Sequence, residues 1–195
     1  TAAPAHLALV DAGIDPSHPW LGGGMGPRFP ILGGADLVDG DADPRSSDPS
    51  DAHGTAMAGL VLRAPALAGL PPAKVPRLLA YRVVAPETVD GRTVPLARSD
   101  RVLAALEHAV DPNRDGDPSD RADVVLLGLA RGFGADAGDP LARAVRNADR
   151  LGAVVVVPAG NDGPTLAAAG SVGGPAAAPT ALAVGALGAA TTPRT

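Results

Sequence analysis

Short apolar runs alternate with segments of helical periodicity along nearly the whole chain, and this alternation is the strongest constraint on its fold. Runs such as Val154–Val157 are apolar on both sides, which suits a sheet covered by helices on both faces. The predicted strands are His6–Val10, Ile31–Val38, Leu78–Val84, Asp123–Leu129, Ala153–Val157 and Ala181–Val184. The predicted helices are His53–Arg63, Ser99–Val110 with Ser99 as its cap, and a helix opened by Asp139 and Pro140 that ends at Leu151. The sequence therefore predicts an α/β fold with a parallel sheet.

Composition excludes several classes of function. The 195 residues suit one domain, and the 16 basic and 21 acidic residues give a net charge of −5 without a basic cluster. This balance argues against a nucleic-acid partner. No apolar run approaches the roughly 20 residues that a membrane span requires, so no membrane partner is expected. The absence of cysteine excludes disulfides, thiolate zinc sites and cysteine nucleophiles.

Three polar residues stand at the ends of predicted elements. Asp11 follows the first strand, His53 begins a helix, and Asn161 follows the valine-rich strand. Ligands of parallel sheets collect where the strands end, so these residues are candidates for one site. Each also has a plain structural interpretation: Asp11 as a cap or turn residue, His53 as a satisfied structural histidine, and Asn161 as a turn residue.

Taken together, the three motifs resemble those of the subtilisin-like serine protease family. Leu9–Asp15 (LVDAGID) resembles the family's aspartate motif, His53–Gly59 (HGTAMAG) its histidine motif, and Ala159–Pro164 (AGNDGP) its oxyanion asparagine motif. The family's catalytic residues follow the order Asp, His, Ser, as in subtilisin itself. The resemblance covers nearly the whole chain. It implies a three-layer subtilisin-like fold truncated at its C-terminal side, with residues 1–195 as a single partial peptidase domain.

The resemblance also implies a role for each matching residue. His53 would be the general base, Asp11 would orient its imidazole, and Asn161 would donate a hydrogen bond to the oxyanion. The residues implied in substrate binding are Gly128, Leu129, Ala159 and Gly160. No serine of the chain lies in the family's Gly-Thr-Ser context, so the nucleophile is expected beyond residue 195 and the chain alone is expected to be inactive.

Several departures from the family pattern favour a different class of function. Ala12 follows the aspartate where the family has Ser or Thr, and Ala56 replaces a second histidine. The cleft-wall segment Leu126–Ala130 (LLGLA) lacks the family's Asn and Ser. The alternative to a serine endopeptidase is therefore a non-catalytic pseudoprotease domain that binds peptides or serves as a scaffold.

Two acidic loops could hold structural calcium, although the chemistry itself requires no cofactor. One presents oxygen ligands at alternate positions, like the opening of a calcium loop, but has Ala122 at the twelfth position where an EF-hand needs Glu. The candidate ligands are Asp111, Asn113, Asp115 and Asp117 in that loop, and Asp39, Asp41 and Asp43 in the other. A solvated acidic loop is the alternative for both.

The expected partners follow from the resemblance. They are a polypeptide substrate and the C-terminal remainder of the same catalytic domain. The family's serine-bearing helix packs within the layers, so a chain without it should expose an apolar patch. Such a chain should be weakly stable or form a homo-oligomer. The expected location is extracellular, as a secreted bacterial protein.

Overall fold

A computed structural model describes residues 4–46, 52–134, 138–161 and 172–186. The three helices are α1 (His53–Leu67), α2 (Ser99–Val110) and α3 (Pro140–Arg150). The strands are β1 (His6–Asp11), β2 (Ile31–Asp36), β3 (Arg77–Arg82), β4 (Val84–Val89), β5 (Arg92–Ala97), β6 (Val124–Leu127), β7 (Arg131–Gly134), β8 (Val154–Pro158), β9 (Gly173–Gly174) and β10 (Leu182–Val184). Three short 3-10 helices lie at Pro19–Leu21, Pro72–Lys74 and Pro118–Asp120.

Six strands form a parallel sheet in the order β10-β8-β6-β1-β3-β2. Every helix and strand expected for this sheet is present, so the predicted α/β fold is confirmed. The strand β1 occupies a central position between β6 and β3. The residue that ends it therefore lies in the middle of the sheet's carboxyl edge, where α/β proteins place their sites.

The two faces of the sheet carry separate apolar cores. The helices α2 and α3 pack on one face against alternate residues of the central strands, such as Val10, Val125 and Val155. The helix α1 packs on the other face, where Ala58 meets Leu9 and other residues of β1, β2 and β3. Helix, sheet and helix thus form three layers.

Half of the α1 face is left without a helix in the part of the chain that the structure describes. In β8, Val155 and Val157 are buried towards α2 and α3, whereas Val154 on the opposite face is 50% exposed. Leu182 and Val184 of the edge strand β10 are 56% and 52% exposed. Apolar side chains of the described residues are therefore exposed at this end of the sheet.

Local details differ from the sequence predictions. Ser99 is the first residue of α2 and not its cap; the cap position is held by Arg98, whose side chain makes no capping hydrogen bond. The helix α1 runs to Leu67, beyond the predicted end at Arg63. The third helix begins as predicted, because the Asp139 side chain accepts a hydrogen bond from the backbone amide of Leu141.

Two small antiparallel pairs were not predicted. The strands β4 and β5 form a hairpin, and β7 pairs with β9. The hairpin turns at Asp90 and Gly91, which have φ values of 50° and 75°. A two-residue turn with positive φ at both positions favours Asp-Gly, so this dipeptide was the available signal.

Candidate active site

Asp11 and His53 form a direct contact at the carboxyl edge of the sheet. The Asp11 side chain is buried at the end of β1, and its Oδ1 lies 2.7 Å from Nδ1 of His53, 42 positions away in sequence. Oδ1 also accepts a hydrogen bond of 2.7 Å from the backbone amide of Ala12. An ionised carboxylate only accepts hydrogen bonds, so it favours the imidazole tautomer with the proton on Nδ1. Nε2 is then the nitrogen that can accept a proton.

Glycine permits the close approach of α1 to the turn after β1. A Cβ on Gly54 would lie 2.1 Å from the carbonyl oxygen of Gly13 and 3.3 Å from Cβ of Asp11. Any larger residue at this position would force the first turn of the helix away from the strand. Gly54 therefore sets the distance between the helix that begins with His53 and the strand that ends with Asp11.

A second glycine packs against the other side of the carboxylate. The amide of Gly128, directly after β6, donates a hydrogen bond of 2.9 Å to the carbonyl oxygen of Val10. A Cβ on Gly128 would lie 1.8 Å from Oδ2 of Asp11. The backbone at residue 128 thus packs directly against the Asp11 carboxylate. Only glycine, which has no Cβ, allows this contact.

His53 opens onto a cleft of about 570 Å³. Its side chain is 57% exposed. Most of the predicted active-site and substrate-binding residues line this cleft: His53, Gly128, Leu129, Gly160 and Asn161. Asp11 lies behind His53, so one site contains the acid, the imidazole and the amide. Residues 162–164 of the predicted asparagine motif fall outside the described residues.

Ala159 does not line the cleft. Its amide donates a hydrogen bond of 2.8 Å to the carbonyl of Val184, and its carbonyl accepts one of 2.9 Å from the amide of Gly173. These bonds tie the end of β8 to β10 on one side and β9 on the other. Ala159 thus fixes the backbone that leads to Gly160 and Asn161.

The acidic loop after α2 uses its candidate calcium ligands within the loop. Oδ2 of Asp111 accepts from the amide of Gly116, and Oδ1 of Asn113 accepts from the amide of Asp115, both at 2.9 Å. Asp115 and Asp117 each accept from the amide two residues on, at 2.8 and 2.9 Å. No group of three or more described His, Asp or Glu side chains converges as a metal site. Calcium binding by this loop stays a prediction.

The other acidic loop pairs two of its carboxylates with arginines. Asp39 lies 2.7 Å from the Arg82 guanidinium, and Asp43 lies 2.6 Å from that of Arg45. Asp41 accepts a hydrogen bond of 2.8 Å from the amide of Asp43. A cation at Asp39 and Asp43 would compete with these arginines; calcium binding by Asp39, Asp41 and Asp43 stays a prediction.

Sequence reasoning did not single out Arg82, although it is a buried charge next to the site. Arg82 ends β3 and Asp36 ends β2; they are 4% and 3% exposed and form an ion pair. Burial acts to lower the pKa of Arg82, but hydrogen bonds to Asp36 and Asp39 outweigh it and raise that pKa. Each of the two buried strands β2 and β3 ends in a charged residue, and this was the sequence signal for the ion pair.

The sequence of the chain matches a known protein family. The model of the subtilase family matches residues 5–194. The chain belongs to the subtilase family. Serine protease AprX of Bacillus subtilis (strain 168) is 34% identical over 165 residues, covering 81% of this chain and 33% of that protein. Subtilisin of Bacillus pumilus is 29% identical over 193 residues, covering 97% of this chain and 59% of that protein.

Solved subtilase-like structures agree with the fold. Sphericase superposes with a TM-score of 0.59 at 25% identity, covering 94% of this chain and 55% of its own. The S41 psychrophilic protease has a TM-score of 0.60 at 23% identity, covering 94% of this chain and 52% of its own. The predicted subtilisin-like fold is therefore confirmed. This subtilase chain spans between a third and three-fifths of the length of its two curated relatives.

The cleft of this subtilase chain is lined mainly by apolar and glycine residues. Across the described ranges, His53 and Asn161 are its polar side chains, and no serine lines it. None of the helices in those ranges is long and apolar enough to span a membrane.

Proposed function

We propose that this subtilase chain supplies the acid, the base and an oxyanion donor of a serine endopeptidase, with the nucleophilic serine provided by a segment outside residues 1–195. The observation that carries the proposal is the 2.7 Å contact between buried Asp11 and His53 at the mouth of the cleft. Two curated relatives with names of this class, serine protease AprX and subtilisin, support it. The substrate is a polypeptide.

The proposed chemistry begins with proton transfer to His53. Nε2 removes the proton of the serine hydroxyl as its oxygen attacks the scissile carbonyl, and the imidazolium later protonates the leaving amine. Asp11 holds the ring through Nδ1 and stabilises the imidazolium without taking up its proton. Its burial against Gly128 fixes the carboxylate in place before the substrate arrives.

Asn161 has the proposed role of stabilising the tetrahedral intermediate. A side-chain amide donates a hydrogen bond to the oxyanion, and loss of such a donor in subtilisin costs about 3 kcal/mol of transition-state stabilisation. Asn161 lines the same cleft as His53, as this role requires. Gly128 and Leu129 on one wall, and Gly160 on the other, bind the substrate backbone.

The lining of the cleft also favours a second function. Apart from His53 and Asn161, its described lining is apolar or glycine, including Met57, Leu126 and Val156. Such a surface suits an apolar peptide that is bound without being cleaved. The second candidate is thus a pseudoprotease domain that binds peptides or acts as a scaffold.

The uncovered half-face of the sheet points to the partner of this chain. Val154, Leu182 and Val184 expose apolar side chains beside the cleft. We propose that the C-terminal remainder of the catalytic domain packs there and brings the serine to His53. Without that remainder, two copies of the chain would associate through the same surface. Secretion from a bacterial cell and calcium binding by Asp111–Asp117 belong to this proposal and rest on the family resemblance.

Covalent labelling tests whether the site is catalytic. The full-length protein that contains this chain is treated with a fluorophosphonate probe, which reacts with activated serines. We expect labelling of the wild type and of His18→Ala, a control at a histidine whose Nδ1 accepts from the amide of Trp20. His53→Ala should lose the labelling, because the serine no longer has a base. Absence of labelling in folded wild type would favour the pseudoprotease, and labelling unchanged in His53→Ala would reject His53 as the base.

Gly128→Ala should slow the labelling at least about 100-fold. The added Cβ would overlap Oδ2 of Asp11, so the carboxylate must move away from His53. A displacement of about 1 Å in a catalytic group can cost that factor in rate. The matched control is Gly185→Ala, whose Cβ would meet only Cβ of Ala159 at 4.0 Å. Equal labelling rates in both variants would show that the backbone at residue 128 does not position Asp11.

A further inference from the structure

Three charged residues end three neighbouring strands at the edge of the sheet that carries the site. The register pairs Asp11 of β1 with Arg82 of β3, and Arg82 with Asp36 of β2. Neighbouring strands lie about 4.8 Å apart, and register partners project to the same face. Two residues earlier, Leu9 and Ala80 pack in the core under α1, so the three charged side chains lie on the α1 face. They form a row in the order carboxylate, guanidinium, carboxylate.

Contacts hold the guanidinium in this row. Nη1 of Arg82 donates to Oδ2 of Asp36 and, at 2.7 Å, to Oδ2 of Asp39. Oδ1 of Asp36 in turn accepts from the amides of Val38 and Asp39, at 2.7 and 3.1 Å. Arg82, Asp36 and Asp11 are each at least 96% buried. Charges fixed in the interior interact more strongly than charges at the surface, because water screens them less.

We propose that Arg82 is a positioning residue for the Asp11–His53 pair: its buried positive charge, shared with Asp36, balances the Asp11 carboxylate and sets the pH range over which His53 is a neutral base. This inference rests on the proposed function, in which His53 must be neutral to accept a proton. Arg82 acts through Asp11 and does not touch the substrate.

The net charge behind Asp11 affects the charge state of His53. Arg82, Asp36 and Asp39 together carry one net negative charge. Removing the guanidinium makes this charge more negative and stabilises the imidazolium of His53. Removing the Asp36 carboxylate makes it less negative and destabilises the imidazolium. One unit of charge at about 10 Å, with an effective dielectric constant of about 20, shifts a titration by about one pH unit.

Other charged groups near His53 are few in the described part of the chain. Asp11 faces it from β1. Asp15 lies before α1, where its amide donates to Oγ1 of Thr55 at 2.9 Å and its carboxylate accepts from Ser17. The cleft wall opposite His53 and the Asn161 side chain are uncharged. Asp15 is unchanged in every variant below, so it does not affect the comparison.

The test is an NMR titration of the His53 imidazole in the full-length protein labelled with 13C-histidine, with the signal assigned by its loss in His53→Ala. Arg82→Met should raise the titration midpoint by about one pH unit, and Asp36→Asn should lower it by a smaller amount, because Asp36 lies one strand farther from Asp11. The double variant Arg82→Met with Asp36→Asn restores the net charge and should return close to the wild type. Arg82→Lys keeps the charge and should also stay close to it.

Opposite shifts that cancel in the double variant cannot arise from loosening of the strand ends, since that would move both single variants in the same direction. Shifts of the same sign, or no shift in folded Asp36→Asn, would overturn the proposal. Arg82→Met leaves Asp36 buried without its arginine and could fail to fold; Asp36→Asn, the double variant and Arg82→Lys then decide. The titration needs no nucleophile. If fluorophosphonate labelling fails while the shifts appear, the proposed function fails and the electrostatic role of Arg82 stands.

Discussion

Asp11→Asn is expected to lower kcat of the full-length protein about 10⁴-fold, the loss known for this change in a serine protease triad. The Asp11 carboxylate accepts from Nδ1 of His53 at 2.7 Å and so selects the tautomer that leaves Nε2 free of a proton. An Asn amide turned towards Nδ1 donates instead of accepting, and the imidazole proton then moves to Nε2. The ring can no longer take the serine proton. Hydrolysis of an unstructured peptide substrate measures this loss, and circular dichroism checks the fold.

The matched control is Asp15→Asn, the same change four residues along the chain. The Asp15 carboxylate accepts from Ser17 and lies at the surface, where its hydrogen bond to the Ser17 hydroxyl lowers its pKa. It makes no described contact with His53, so we expect kcat to stay within about twofold of the wild type, as for most surface substitutions. A comparable loss in both variants would mean that general negative charge, rather than the contact with Nδ1, supports activity.

The sheet and its helices could be predicted from the sequence because burial imposes periodicity. The central strand β1 is covered on both faces, so Leu7–Val10 appear as an unbroken apolar run. Asp11 and His53 were predicted as site residues because their motifs together with that of Asn161 resemble those of the subtilase family; each alone also has a plain structural interpretation. Close packing around Asp11 and His53 requires glycine at Gly54 and Gly128, so the packing leaves a visible mark in the local sequence.

The rest depends on register and on long-range contacts, which a single sequence does not reveal. Arg82 and Asp36 meet because β2 and β3 are neighbours in parallel register, although 46 positions separate them. The contact of Asp39 with Arg82, 43 positions away, was missed for the same reason. Ser99 was taken as a cap by residue type, but the chain enters α2 one residue earlier.

Gly34→Ala is expected to destabilise the chain by about 3 kcal/mol or more, the range of severe packing changes in a core. In the parallel register Gly34 lies opposite Ala80, and a Cβ on Gly34 would lie 1.6 Å from the carbonyl oxygen of Ala80. The backbone fixes the position of the new Cβ, and its partner is a backbone carbonyl oxygen, so no side-chain rotation can relieve the overlap. The strands β2 and β3 must separate, and the ends that carry Asp36 and Arg82 separate with them. For a chain of this size the loss corresponds to a fall in Tm of roughly 6 to 12 °C.

Gly33→Ala provides the control, because the two glycines are adjacent and both have a φ of 158°. No atom lies within 4 Å of a Cβ built on Gly33, which sits at the irregularity in the register of β2. Alanine restricts the unfolded chain equally at both positions and meets the same strain at a φ of 158°, so the difference between the variants measures the overlap alone. We expect Gly33→Ala to lower the free energy of unfolding as well, because a φ of 158° is unfavourable for alanine, but by clearly less than Gly34→Ala, which carries the overlap in addition. Urea denaturation of both variants decides the matter: similar midpoints would show that β2 does not pair with β3 in the register that brings Asp36 to Arg82.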